Sequence, residues 1–225
     1  ELHKPIVRDR GYFIRGKFDR LQQDIPFTGI AQAFRHLIEQ ILSENKQSVD
    51  RWKAALAKAV GDNGQIIVEA IPEIEWLIGK QPPLAQVDST AAQNRFDRTF
   101  RKFFQVFTRS DRPLVIFLDD WQWADSASLK LIQLLTNPNN VVSEDITGKP
   151  RDLNPINLLL VGTYRDDEVS SAHPFWLTVE TIEQMEVPVT TIALKPLSTS
   201  HIEDLIVDTL RCDREVVVPL AQTIA

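Results

Sequence analysis

Apolar positions along this chain follow one period for the first hundred residues and another thereafter. After Pro26, Ile30, Ala33, Phe34, Leu37, Ile38, Ile41 and Leu42 recur so that most have an apolar partner three or four residues further on. That spacing predicts a surface helix with one buried stripe. Ser48 stands just ahead of Trp52, Leu56 and Ala59 and marks the start of a second helix, which Gly61-Asp62-Asn63-Gly64 ends. A third helical segment runs from Ile66 to Ile78, kinked or divided at Pro72 and closed by Gly79. Beyond the Pro82-Pro83 loop, a long helix over roughly Thr90–Thr108 carries Phe96, Phe100, Phe103, Phe104 and Phe107 on one side. Such a row of aromatics reads as the face that packs onto a sheet or neighbouring helices.

The period then changes. Pro113–Leu118 is a continuous apolar run, as in a parallel strand buried on both faces, and Ile156–Gly162 is read as a second buried strand. Between them lie a helix over Ser126–Leu135, with Asp125 as its N-cap, and a polar Asn137–Asn154 loop. A helix over Pro174–Met185, a third short strand over Val187–Leu194 and a helix over Ser198–Thr209 follow. Val216–Ala225 is a further apolar segment. Near the start, Pro5–Val7 and Tyr12–Arg15 have strand character, closed by Gly16-Lys17-Phe18-Asp19. Strands separated by helices imply an α/β sheet with helices on both faces.

Composition narrows the class. The 225 residues are 43% hydrophobic and 25% charged with a net charge of −6, which fits a globular domain and gives no support for a nucleic-acid partner or a membrane surface. No apolar run reaches membrane-spanning length. One cysteine, Cys212, excludes an internal disulfide framework and fits a reducing compartment, so a cytoplasmic location is expected. It reads as a small structural residue on a helix near an end of the fold.

The candidate chemistry sits where Leu114-Val115-Ile116-Phe117-Leu118 ends in Asp119-Asp120. Ligands of open α/β sheets bind at the carboxyl ends of the strands. If the strand persists, the two carboxylates alternate in direction. One can then address a magnesium ion through water while the other orients an attacking water, the division of labour that phosphoryl transfer needs. Taken alone, the pair could equally serve as turn or capping residues. The Trp121-Gln122-Trp123 that follows is either a platform for a base or a partner or a set of wedges seating the loop. A parallel neighbouring strand would bring Arg165, from Thr163-Tyr164-Arg165-Asp166, to the same edge, where it could hold a γ-phosphate or pair with local acids.

With these residues in view, the whole chain resembles the STAND class of AAA-related P-loop ATPases. It is most similar to the version in large bacterial and cyanobacterial proteins that join a Ser/Thr protein kinase to GAF and histidine-kinase modules. The resemblance is carried by Gly11–Asp19, Pro72-Glu73-Ile74-Glu75 with Ile78-Gly79, and Asn94-Arg95-Phe96. It continues through Phe117–Asp125, Tyr164-Arg165-Asp166 and Leu194-Lys195-Pro196-Leu197-Ser198. It implies that Asp119 is the Walker B acid associated with Mg2+, that Asp120 is the second acid acting on water, and that Arg165 is the sensor-1 arginine. It also implies ATP as the ligand, a switch rather than a metabolic enzyme, and neighbouring kinase and sensor domains or self-association as partnerships.

One part of that pattern is absent. Gly16-Lys17 is followed by Phe18 and Gly79-Lys80 by Gln81, so no G-x-x-x-x-G-K-[ST] loop occurs in the sequence. The chain is therefore expected to begin just after the Walker A helix. The corresponding fold is a P-loop NTPase-like parallel sheet flanked by helices and lacking its first, P-loop strand. Residues 1–197 would form this core, with a helical insert at about 26–108, and 198–225 would begin a helical lid. Weak or absent Mg-ATP binding by the fragment alone is expected. The competing reading is a degenerate α/β scaffold whose helical insert contacts other domains.

Overall fold

The computed structural model describes residues 11–108, 112–138 and 157–224. The expected Pro5–Val7 strand and most of the Asn137–Asn154 loop lie outside them. Three strands, β1 (Tyr12–Lys17), β2 (Leu114–Asp119) and β3 (Leu158–Gly162), form a parallel sheet in the order β1-β2-β3. Their register sets Tyr12 opposite Leu114, Lys17 opposite Asp119, and Leu118 opposite Gly162. All three carboxyl ends therefore meet at one edge. Tyr12, Ile14, Leu114, Ile116 and Leu118 share the inward face and are buried, whereas Arg15 and Lys17 are exposed.

Six helices follow the sequence pattern closely: α1 (Thr28–Leu42), α2 (Lys46–Val60), α3 (Gly64–Ala70), α4 (Glu75–Ile78), α5 (Ser89–Thr108) and α6 (Ser126–Thr136). Helix α2 begins earlier than Ser48, because the Asn45 side chain accepts the Ser48 N–H at 3.0 Å and caps the first turn. Pro72 opens a single 3-10 turn that separates α3 from α4, and Gly79 closes α4 at φ 72°. The phenylalanine row of α5 is core. Phe100, Phe103, Phe104 and Phe107 are buried and pack around Phe34 of α1 and Trp52 of α2. Residues of α1, α5 and α6 converge on the inward face of β2 and β3.

Helix α1 does more than cover the sheet; it runs antiparallel along the outer edge of β1. Gln32 accepts the Lys17 N–H at 2.8 Å, the His36 ring bonds the Arg15 carbonyl at 2.9 Å, and Gln40 donates to the Phe13 carbonyl at 3.0 Å. The close approach depends on glycine. A Cβ on Gly16 would stand 1.8 Å from the Gly29 carbonyl oxygen, and one on Gly29 would stand 2.8 Å from the Phe18 ring. At the far end of β1, the Tyr12 hydroxyl, the Glu44 carboxylate and the Arg112 guanidinium join in one hydrogen-bonded cluster.

The sheet departs from expectation at β3. This strand is only half-buried, with Leu159 49% exposed. The expected third strand over Val187–Leu194 does not form: those residues are irregular, and Ile192 and Leu194 are exposed. Pro188 offers no N–H to a ladder, and Glu186 turns the chain at a left-handed φ of 61° just before it.

Helix α7 (Pro174–Gln184) is N-capped by His173, whose Nδ1 accepts the Phe175 N–H at 3.2 Å. The chain divides into two compact units between Pro188 and Val189. The second unit is a hairpin of α8 (Thr199–Leu210) and α9 (Arg214–Ile224), in which Val217 and Ala221 are buried and Arg214 pairs with Glu203 and Asp204. Cys212 lies in the connection between these helices rather than on one. Among the described residues, no helix is long and apolar enough to cross a membrane.

Candidate functional site

The carboxyl edge of the sheet gathers acids and bases from all three strands. Asp119 is the last residue of β2 and is 37% exposed at its side chain. Its Oδ1 accepts a short hydrogen bond from the Thr163 hydroxyl, just beyond β3, and its Oδ2 lies 3.2 Å from the Lys17 ammonium. Asp120 ends the strand abruptly. Its backbone is left-handed (φ 55°, ψ 52°), a conformation aspartate tolerates better than most residues. The two carboxylates therefore do not alternate across the sheet. The turn swings Asp120 so that its Oδ2 reaches the same ammonium at 2.6 Å.

Thr163 and Trp121 hold this turn in place. The Thr163 hydroxyl accepts the Asp120 N–H at 3.1 Å, and its carbonyl accepts the Trp121 N–H at 2.9 Å. The Trp121 indole lies against Gly162, where a Cβ would come within 2.6 Å of the ring, and stands edge-on to Phe175 at 5.9 Å. Trp121 is thus a wedge, as one of the two sequence readings had it. Trp123 is half-exposed and lies under the Arg20 guanidinium at 5.2 Å.

The other oxygen of Asp120 faces Gln122 and Arg165. The buried Gln122 amide donates to Asp120 Oδ1 at 3.2 Å and to Glu168 at 2.7 Å. Arg165, 65% exposed, stands 3.9 Å from Asp120 Oδ1 and 4.0 Å from Glu168. The parallel register thus brings Asp119, Asp120 and Arg165 to one edge, with Arg165 beside Asp120. The hydrogen bond from Lys17 holds the Asp120 carboxyl below the usual carboxylate range, against the opposing effect of burial. Lys17 is correspondingly raised by its bonds to Asp120 and Asp119.

Lys17, Thr163 and Gln122 were not singled out from sequence. Lys17 follows a glycine but lacks the rest of a phosphate loop, and only the β1–β2 register places it opposite Asp119. A base closing a short apolar strand was the available signal.

The donor set suits a hard cation in one respect. An accessible carboxylate at a strand end can hold Mg2+, which keeps most of its waters and needs few protein oxygens. No group of three or more metal-binding side chains occurs among the described residues.

The profile of the AAA ATPase domain family matches residues 1–142. The chain belongs to this family. The matched part of the AAA ATPase domain includes Lys17, Asp119 and Asp120, while Thr163 and Arg165 lie beyond it. Among curated proteins, hybrid signal transduction histidine kinase G of Dictyostelium discoideum is 38% identical over 127 residues. That alignment covers 56% of this chain and 4% of the relative, so the chain spans only a small fraction of that protein's length. No solved structure matches significantly. The parallel sheet flanked by helices, with extra helices inserted between β1 and β2, agrees with a P-loop NTPase-like fold.

Proposed function

We propose that this domain supplies the metal-anchoring and water-orienting half of an ATP-dependent signalling switch of the STAND class. The observation that carries the reading is the convergence of Asp119, Asp120 and Arg165 at the carboxyl edge of a parallel sheet. Asp119 would anchor Mg2+ through its partly exposed carboxylate, oriented by Thr163. The ion would neutralise charge on the β- and γ-phosphates. Asp120, with both oxygens already fixed by donors, would orient a water at the reacting phosphate rather than take its proton. Arg165, largely exposed, would contact the γ-phosphate and register its loss.

The sequence carries no Gly-rich loop ending in Gly-Lys-Ser/Thr, so these residues form a half-site that needs a phosphate cradle from a longer chain. In that setting the partners are adjacent kinase and sensor modules, consistent with a relative named as a hybrid signal transduction histidine kinase, and the location is the cytoplasm.

Calorimetric titration with Mg-ATP tests the proposal in two steps. The 225-residue chain is expected to bind weakly or not at all; saturable low-micromolar binding that depends on Asp119 would overturn the half-site. In the longer protein, Asp119→Asn should abolish the Mg2+ dependence of binding, and Asp120→Asn should stop turnover while ATP still binds. Unchanged binding and turnover in both variants would overturn the functional reading itself.

A further inference from the structure

In the nucleotide reading Lys17 serves only to hold Asp120, yet its ammonium also reaches Asp119. The Lys17 backbone is closely held: the N–H donates to Gln32, Gly16 is wedged against Gly29, and Phe18 beyond it is buried. The side chain is 57% exposed, and its ammonium reaches Asp120 at 2.6 Å and Asp119 at 3.2 Å. Lys17 belongs to a strand, not to a phosphate-binding loop, and points along the edge rather than at a helix N-terminus. It therefore offsets one of the two negative charges of adjacent carboxylates that would otherwise repel each other. A divalent cation approaching Asp119 meets this ammonium within a few ångströms, and two cations at that separation repel.

We propose that Lys17 is a tethered counter-cation of the Asp119–Asp120 pair, which a divalent metal must displace from Asp119 in order to bind. The inference rests on reading Asp119 as the metal anchor. The fixed backbone and free stem suit Lys17 to this role, since it can release Asp119 while keeping Asp120 or swinging into solvent. The edge is thus less negative before a metal arrives, at the expense of metal affinity. Metal binding is then coupled to the position of the β1 terminus.

The probe is Mn2+ alone, counted by electron paramagnetic resonance, with no nucleotide present. Lys17→Met should tighten Mn2+ binding by roughly tenfold, from removal of one neighbouring positive charge. Lys17→Arg should remain close to the parent, and adding Asp119→Asn to Lys17→Met should erase the gain. Unchanged or weaker Mn2+ binding by Lys17→Met overturns the proposal. If Lys17→Met does not fold, the parent protein carrying 13C-dimethylated lysines provides the test. The Lys17 methyl resonances should move during a Mg2+ titration with the affinity of the bound metal, and a static resonance would overturn the proposal. Neither readout involves ATP. A failure of the ATPase reading, seen as Asp119 and Asp120 variants with normal nucleotide binding and turnover, is therefore distinguishable from failure here.

Discussion

Gly16→Ala would probe the contact that places Lys17 at the site. The new Cβ would lie 1.8 Å from the Gly29 carbonyl oxygen, 2.8 Å from its carbon and 3.2 Å from Leu118 Cδ2. Ordinary contact begins near 3.4 Å, and the obstacle is backbone, which cannot rotate away as a side-chain tip can. Helix α1 must retreat from β1 by more than an ångström. Overpacking of this kind costs about 1–3 kcal/mol. The bonds from Gln32, His36 and Gln40 would stretch together, adding up to about 1 kcal/mol each. The lower chain entropy of alanine in the unfolded state returns less than about 1 kcal/mol. The net loss is therefore roughly 3–5 kcal/mol, a large share of a typical domain's stability. Urea unfolding followed by tryptophan fluorescence should show a midpoint about 2 M lower for a slope near 2 kcal/mol/M. Gly64→Ala is the comparison, because its Cβ would meet only the flexible end of Gln81, at 2.1 Å. It should fall within about 1 kcal/mol of the parent. A Gly16→Ala midpoint equal to that of Gly64→Ala would refute the reasoning.

The Tyr12–Glu44–Arg112 cluster predicts opposite pH dependences on its two sides. Burial, with Glu44 beside it, raises the Tyr12 pKa above its ordinary value. Its contribution to stability is therefore complete below about pH 10 and lost progressively above it, and Tyr12→Phe should remove this alkaline arm of the denaturation profile. Burial would raise Glu44, but hydrogen bonds from Tyr12 and Arg112 outweigh it and lower the folded pKa. That contribution is present above about pH 4–5 and lost as pH falls through the folded value, so Glu44→Gln should flatten the acid side. Asp125 caps α6 through the Ser128 N–H at 2.8 Å and also accepts the N–H of Phe27, a residue held at a left-handed φ of 67°. Asp125→Ala should cost about 1–3 kcal/mol in thermal unfolding, and Asp125→Asn clearly less.

Elements governed by local pattern were legible in the sequence. The stripe of α1, the phenylalanine face of α5 and the Asp125 cap each follow from residue type and spacing, and each forms as expected. Adjacency to the site was legible as far as strand order could be guessed, which sufficed to bring Arg165 beside Asp120. What was not legible depends on register or on single backbone angles. The left-handed turn at Asp120 reverses the expected divergence of the two carboxylates, and nothing in the Asp119-Asp120 dipeptide marks it. The place of Lys17 follows from pairing across about a hundred residues of chain. Val187–Leu194 has strand composition, but composition cannot supply a ladder partner, and Pro188 withholds a donor.

The row of α1 side chains on β1 works as a vernier. Four helical residues advance about 6.0 Å and two strand residues about 6.6 Å, so Gln32, His36 and Gln40 keep step with Lys17, Arg15 and Phe13 for three rungs before drifting out of phase. Three rungs span nearly all of a six-residue strand. The outer side of β1 is thereby closed to further pairing, and the sheet can grow in one direction only. Any additional strand, from the same polypeptide or another, has to enter beside β3. That is the side from which Thr163 and Arg165 address the two aspartates, so whatever extends the sheet also adjoins the acidic edge.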